Sequence, residues 1–440
     1  MLCPICHQHH STLLHQFNGD DDAPLLQKLQ EEVPSWIPTQ GACTRCVDQA
    51  QLEVWSAHDA LTYHTSIDGY KILPIPERLA AHPDYTGKGI TICFIDSGFY
   101  PHPDIKSRIL HMTDLASKHP HSVLYPHPNS WHGTMTAVVG AGDGALSRGF
   151  YQGLASSANL VLLKVADEQG KISGENIAKA IHWAIENRKQ YRIRILNLSV
   201  TDDWATSFHV NEVDQAVQKA TEAGLVVVAA AGNDEHALVK APANSPHAIT
   251  VGGLDDHNTL HPSGNTWYPS THGTTVDGIQ KPDLIAPAIW IPAPLLPMSK
   301  EYHTAAVLFE LAETQKHHYL KAKYANAAAK LGFDPTLVFY PSEHIRQKVH
   351  SEIGGRKLIT PYYQHADGTS FAAPIVSGIV AQMLEANPAL TPQKIKAVLS
   401  QTARKLPKLA LERQGAGVVH ALGALKAVQG LAKKSAITIF

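Results

Sequence analysis

The stretch LVVVAAAGND, residues 225–234, is apolar from Leu225 to Gly232 and turns polar at Asn233. A strand with one wet face alternates apolar and polar residues, whereas an unbroken apolar run belongs to a strand covered on both faces. Working outward, the same near-continuous pattern recurs in ITICFID (90–96), NLVLLKVA (159–166), IRILNLSV (193–200) and AITVGG (248–253). Helical periods lie between them. Ile177, Ile181, Ala184 and Ile185 share one face. Val213, Ala216, Val217 and Ala220 share another, ahead of the C-capping Gly224. This rhythm predicts an α/β fold, a doubly wound parallel sheet with helices on both faces. Chemistry in such sheets gathers at the carboxyl ends of strands, and Asp96 and Asn233 end two of these runs.

The chain of 440 residues is long enough for more than one unit. A formal net charge of −2 gives no electrostatic case for nucleic acid or an anionic membrane surface. The start, MLCPICHQHH, lacks a positive segment followed by an apolar one, and no run approaches a membrane span. A cytoplasmic location is therefore expected, where the five cysteines serve as thiols or metal ligands rather than disulfides. Cys3-Pro-Ile-Cys6 and Cys43-Thr-Arg-Cys46 are two C-x-x-C knuckles, and four thiolates in two knuckles suit a tetrahedral Zn²⁺ site. Redox thiols are the alternative. Residues 1–50 are expected as a small zinc-ribbon-like module offering a surface to a protein partner. Residues 51–68 would be a linker, 69–430 the main domain and 431–440 a tail. Cys93, inside an apolar run, is expected to pack as a small hydrophobe.

DGTSFAAPIVSGIV (367–380) sets Ser370 at the start of an apolar helix. Its hydroxyl could merely cap that helix. It could also be a nucleophile, because a helix N-terminus offers free N–H groups to a developing oxyanion, but that role needs a histidine, an acid and a second oxyanion donor. In SWHGTMTAVVG (130–140), His132 opens a helix of small residues able to pack closely and bring the imidazole near a strand end.

Taken in order, Asp96, His132, Asn233 and Ser370 sit in IDSGFYPHPDI, HGTMTAVVG, VVVAAAGND and DGTSFAAPIVSGIVA. These segments resemble the signature segments of the subtilisin-like serine proteases, and GAGVVHALGAL (415–425) resembles the motif closing that family's core. The resemblance implies a serine endopeptidase. Ser370 would be the nucleophile, His132 its general base and then acid, Asp96 the group orienting the imidazole, and Asn233 an oxyanion donor beside the Ser370 N–H. It further implies that extended or unfolded polypeptide pairs with the backbone of Leu198-Ser199-Val200 and Ala230-Ala231-Gly232. The intracellular branch is the nearer comparison, because neither a signal peptide nor a folding pro-region is visible.

Two departures stand out. KPDLIAPA (281–288) and DGTSFAAP (367–374) lie close together in the family, but here a stretch with helical patterning, residues 293–360, separates them. Its last helix is expected to end at Gly354-Gly355, and its anchors predict a position beside the active site. Calcium is common in the family. Asp104 matches one ligand position and Gly142-Asp143-Gly144 offers another, but too few matching oxygens are identifiable to fill a shell. The competing function is a regulatory or binding protein on a protease-like core. The intact set of four residues argues against it.

Overall fold

Along β1 (Thr91–Asp96), Ile92 and Phe94 point into one core, and Cys93 and Ile95 into another. The period of two in a strand makes this division, and it explains why the run is apolar throughout. The same split holds for β3 (Asn159–Lys164), for β4 (Ile193–Leu198) from Ile195 onward, past a register shift against β1, and for β5 (Val226–Ala230), where Val226 and Val228 face the first core and Val227 and Ala229 the second. Each core is closed by helices. Thr369–Ala386 and Ser130–Ala141 cover the first face, and Gly174–Asn187 and Glu212–Glu222 the second. Burying one such side chain contributes about 1.5–3 kcal/mol.

This computed structural model describes residues 1–10, 13–15, 17, 23–43, 46, 47, 50, 72–117 and 129–437. The expected linker 51–68, the expected start of the main domain at Gly69 and the end of the expected tail, 438–440, lie outside them. The remaining strands are β2 (Ile109–Asp114), β6 (Ile249–Asp255), three short pieces β7 (Thr266–Trp267), β8 (Gly273–Thr274) and β9 (Gln280–Lys281), then β10 (Leu284–Pro287). The main sheet runs β10-β6-β5-β4-β1-β3-β2 with parallel neighbours, and β7 adds antiparallel to β6. Strand β1 stands between β3 and β4, with β2 and β3 on one side of it and β4, β5, β6 and β10 on the other. That is a topological switch point, where a crevice opens at the strand's carboxyl end. Asp96 is the last residue of β1.

The Ser370 helix, Thr369–Ala386, is apolar and long enough to cross a membrane, contrary to the reading that no run approaches that length, and 89% of it is buried. It is the central helix of the first core.

The stretch 293–360 is bracketed by an antiparallel ribbon of β11 (Ile291–Pro294) and β12 (Tyr363–Ala366). Three helices fill it, Lys300–Glu313, His317–Leu331 and Ser342–Gly355, so Gly354 and Gly355 form the last turn of a helix. Their apolar faces close a third core, with Leu308, Phe309, Tyr324 and Ile345, that takes in Ile72, Leu146 and Tyr151 from outside the stretch. At the amino end, a fourth small core of Leu25, Leu29 and Trp36 packs around Cys3, Cys43 and Cys46.

Candidate active site

The carboxylate of Asp96 is 1% exposed and fully engaged. Its Oδ1 accepts from Nδ1 of His132 at 2.7 Å and from the Ser97 N–H at 2.7 Å, and its Oδ2 accepts from the Thr136 hydroxyl at 3.1 Å. Thr136 lies one helical turn after His132, a spacing that was readable in HGTMT but went unassigned. Gly133 explains why the histidine helix comes so close. A Cβ there would stand 2.2 Å from the Gly98 carbonyl oxygen and 2.9 Å from the Asp96 Cβ. Burial pulls the His132 pKa down, but the Asp96 charge and hydrogen bond outweigh it, so the imidazole titrates above its ordinary value.

Ser370 is the second residue of its helix and does not cap it; the cap is Gly368. Gly368 has φ of +138°, a conformation that side chains resist, and a Cβ there would meet the Asn233 amide nitrogen at 3.4 Å. The Ser370 N–H belongs to the first turn, where a helix supplies no partner. Asn233 is aimed by Thr369. Its Oδ1 accepts from the Thr369 N–H at 2.8 Å and from the Thr369 hydroxyl at 3.0 Å. A backbone N–H can only donate, so the atom facing it is the amide oxygen, and the Asn233 NH₂ is left to donate elsewhere. Thr369 was not singled out from sequence, because its role depends on a partner 136 positions away.

Phe371, next to Ser370, has its ring 6.1 Å from that of His132, so the Ser370 helix starts beside the imidazole. No hydrogen bond joins Ser370 Oγ to His132.

Pro374 sits inside the same helix. It has no N–H, so the Ser370 carbonyl loses its i+4 donor. Ser199 takes that place, its hydroxyl donating to the Ser370 carbonyl at 2.9 Å. Asn197 donates to Ser199 Oγ at 3.2 Å and accepts from the Ser377 hydroxyl at 2.9 Å, which ties the end of β4 to the Ser370 helix.

The backbone segments expected to pair with substrate are partly committed to the fold. Leu198 is fully buried and paired with Ile95 on one side and Ala229 on the other. The Ala231 N–H donates to the Val251 carbonyl, and the Gly232 N–H to the Thr369 hydroxyl. Pairing of β4 with β5 ends at Leu198 and Ala229, and beyond it lie Ser199, Val200 and Ala230.

Cys3, Cys6, Cys43 and Cys46 bring their four sulfurs within 4.8 Å of one another, a cluster that can hold a metal ion. The Cys6 and Cys43 sulfurs are 3.8 Å apart. Tetrahedral coordination with Zn–S bonds of about 2.3 Å requires edges of about 3.8 Å, so the set fits zinc. The Cys43 N–H donates to the Cys3 sulfur at 3.4 Å, and the His10 ring nitrogen lies 3.5 Å from the Cys6 sulfur, the kind of outer contact that orients ligands. Cys93 is buried in the second core, its thiol pushed up by that burial.

Calcium does not fit at Asp104. One carboxylate oxygen accepts from the Leu146 N–H at 3.0 Å and the other from the Tyr363 hydroxyl at 2.6 Å. Asp143 accepts from Ala145, and the Arg108 guanidinium bonds the Asp104 carbonyl at 2.6 Å while standing 3.8 Å from the Asp143 carboxylate. A resident cation of the protein therefore already neighbours the oxygens that calcium would need.

The Subtilase family, peptidase S8, matches residues 87–417. The serine protease AprX of Bacillus subtilis is 32% identical over 344 residues, covering 76% of this chain and 66% of its own length. Subtilisin-like protease 3 of Pseudogymnoascus destructans is 31% identical over 182 residues, 39% of this chain and 40% of its own. This chain thus spans less than two thirds of either relative. Among solved structures, fervidolysin of Fervidobacterium pennivorans, a keratinolytic enzyme related to subtilisin, shares the fold with a TM-score of 0.55 at 20% identity, over 84% of this chain and 47% of its own.

Proposed function

The chain belongs to the subtilase family, and from that membership we propose that it is a serine endopeptidase with Ser370 as nucleophile, His132 as general base and acid, Asp96 as the orienting carboxylate and Asn233 as oxyanion donor. The observation that carries the reading is the 2.7 Å bond from His132 Nδ1 to Asp96. It fixes the tautomer, putting the proton on Nδ1 and leaving Nε2 free to accept.

Ser370 Oγ attacks the scissile carbonyl carbon as Nε2 takes its proton, and Asp96 stabilises the imidazolium. The oxyanion is met by the Ser370 N–H and the Asn233 NH₂. Such a side-chain donor is worth about 10²–10³ in turnover, a figure measured in a subtilisin. As the C–N bond breaks, His132 returns the proton to the leaving amine. Water then repeats the sequence on the acyl-enzyme. Substrates would be peptides or unfolded proteins, extended along Ser199, Val200 and Ala230, where the backbone is not locked between neighbouring strands. The metal of the four-cysteine cluster would be zinc in a structural role, since four thiolates leave no open position. Five unbridged cysteines suit the cytoplasm.

Ser370→Ala should abolish peptide hydrolysis and labelling by a fluorophosphonate probe while the circular dichroism spectrum is kept. Undiminished hydrolysis in the purified variant would overturn the assignment.

A further inference from the structure

We propose that a cavity beside His132 receives the departing part of the substrate, and that it selects a bulky apolar side chain within the first two residues after the scissile bond. This deepens the protease reading above and rests on it. The cavity has a volume of about 630 Å³ and is walled by Trp131 and Met135 of the histidine helix, Leu295, Leu296 and Met298 after β11, and Gln364 of β12. Ligand sites of this size, mostly apolar with a few polar groups, are typical of specific recognition. Trp131 is 48% exposed, and its ring stands edge-on to the His132 ring, 5.3 Å away at 89°. A large aromatic half in water beside a proton-transfer group is a ready contact for an apolar side chain.

The chemistry decides which half of the substrate lies there. His132 must reach the leaving nitrogen to protonate it, so the first departing residue passes the imidazole. The oxyanion donor Asn233 follows β5, and Ser199 and Val200 follow β4. No residue of either strand lines the cavity. A chain crossing the site therefore runs from the ends of β4 and β5, past His132, to Trp131. The far wall belongs to the opening of the 293–360 stretch. There Met298 has φ of +65°, a left-handed conformation uncommon for a long side chain and one that structures retain at functional positions. Lys300 and Glu301 supply one charge of each sign among the lining groups, so the apolar wall sets the preference.

Acyl transfer tests this directly. A peptide methyl ester, whose leaving group is only methanol, forms the acyl-enzyme, and amino-acid amides then compete with water for it. The amine nitrogen bonds to the acyl carbon, the bond to Ser370 Oγ breaks, and His132 carries the amine proton to that oxygen. Phenylalaninamide and leucinamide should capture the acyl group at least about tenfold better than glycinamide, the scale of discrimination an apolar pocket provides. Trp131→Ala and Met298→Asp should each bring that ratio toward one. It is read within each variant, so a general loss of rate cancels. Ester hydrolysis with equal capture of all three amides, or with the preference kept in both variants, overturns the pocket and leaves the protease reading standing. No ester hydrolysis together with no fluorophosphonate labelling overturns both.

Discussion

In the proposed mechanism His132 can take a proton only when neutral, so its pKa would set the acid limb of activity. Burial lowers that pKa, while the charge and hydrogen bond of Asp96 raise it by more. The kcat/KM of the wild type should therefore rise with pH through a midpoint above the free imidazole value of about 6.5. Asp96→Asn removes the opposing charge and leaves burial unopposed. Its residual activity should show a midpoint moved downward, with turnover reduced about 10⁴-fold. A limb that stays in place in Asp96→Asn would refute the account. The linkage has the opposite sense for stability. A histidine whose folded pKa is raised stabilises the fold fully below its unfolded pKa and loses that contribution as pH rises through the folded value. The Asp96–imidazolium attraction thus supports the fold most where the proposed activity would be lowest. Ser199 makes a second residue-scale case. Its hydroxyl serves a carbonyl that Pro374 has left without a donor. Ser199→Ala should cost about 1–3 kcal/mol by leaving that carbonyl unpaired. Pro374→Ala restores an N–H at the right place in the helix while keeping a Cβ. The double variant should therefore cost less than the sum of the two singles, by about 0.5–3 kcal/mol in urea denaturation. Strict additivity would mean that Ser199 acts by packing alone.

At the scale of elements, a buried bond joins β12 to the core. The Tyr363 hydroxyl donates to Asp104, and both residues are 0% exposed. Burial pushes the Asp104 carboxyl up to about 6, against the pull of the Tyr363 hydroxyl, the Leu146 N–H and Arg108. An acid whose folded pKa lies above its unfolded value of about 3.9 weakens the fold as it ionises; that cost is absent below pH of about 4 and complete above about 6. Tyr363→Phe deletes a donor to the ionised form. Its loss of stability should be about 1–3 kcal/mol at pH 8 and smaller at pH 5, read as Tm against pH beside the wild type. An equal loss at both pH values would assign the effect to packing. Strand elements were the most legible part of this sequence, because a strand covered on both faces must be apolar throughout. The catalytic candidates were legible because each ends an apolar run or begins a helix, positions that sequence alone can mark. The supports were not. Thr369 beneath Asn233, Ser199 beneath the Ser370 carbonyl and Tyr363 on Asp104 each act on a partner more than a hundred positions away, and no periodicity encodes such a meeting. The helices of 293–360 showed in the pattern, but their seating on Ile72, Leu146 and Tyr151 did not.

On the scale of the whole molecule, the amino-terminal module and the main domain keep separate cores. Among the described residues, the apolar cluster around Cys3, Cys43 and Cys46 shares no residue with the cores of the main domain. A bridge from Lys106 to Glu32 at 2.8 Å links them across partly exposed side chains. Such a pair contributes only about 0–1 kcal/mol. The module's core is also small, and units of this size lean on their metal for most of their folding free energy. Under reducing conditions, protein purified without added zinc should carry about one zinc per chain. Calorimetry should then resolve two transitions, the smaller from the module. Chelation should abolish that transition and leave the larger one within a few degrees, along with hydrolysis of a small peptide ester. Cys3→Ala with Cys43→Ala should reproduce the chelated state without chelator, which separates loss of the metal from side effects of the reagent. If instead one transition is seen and chelation moves all of it, the module is folded into the protease core, and the metal is part of what holds Asp96, His132 and Ser370 together.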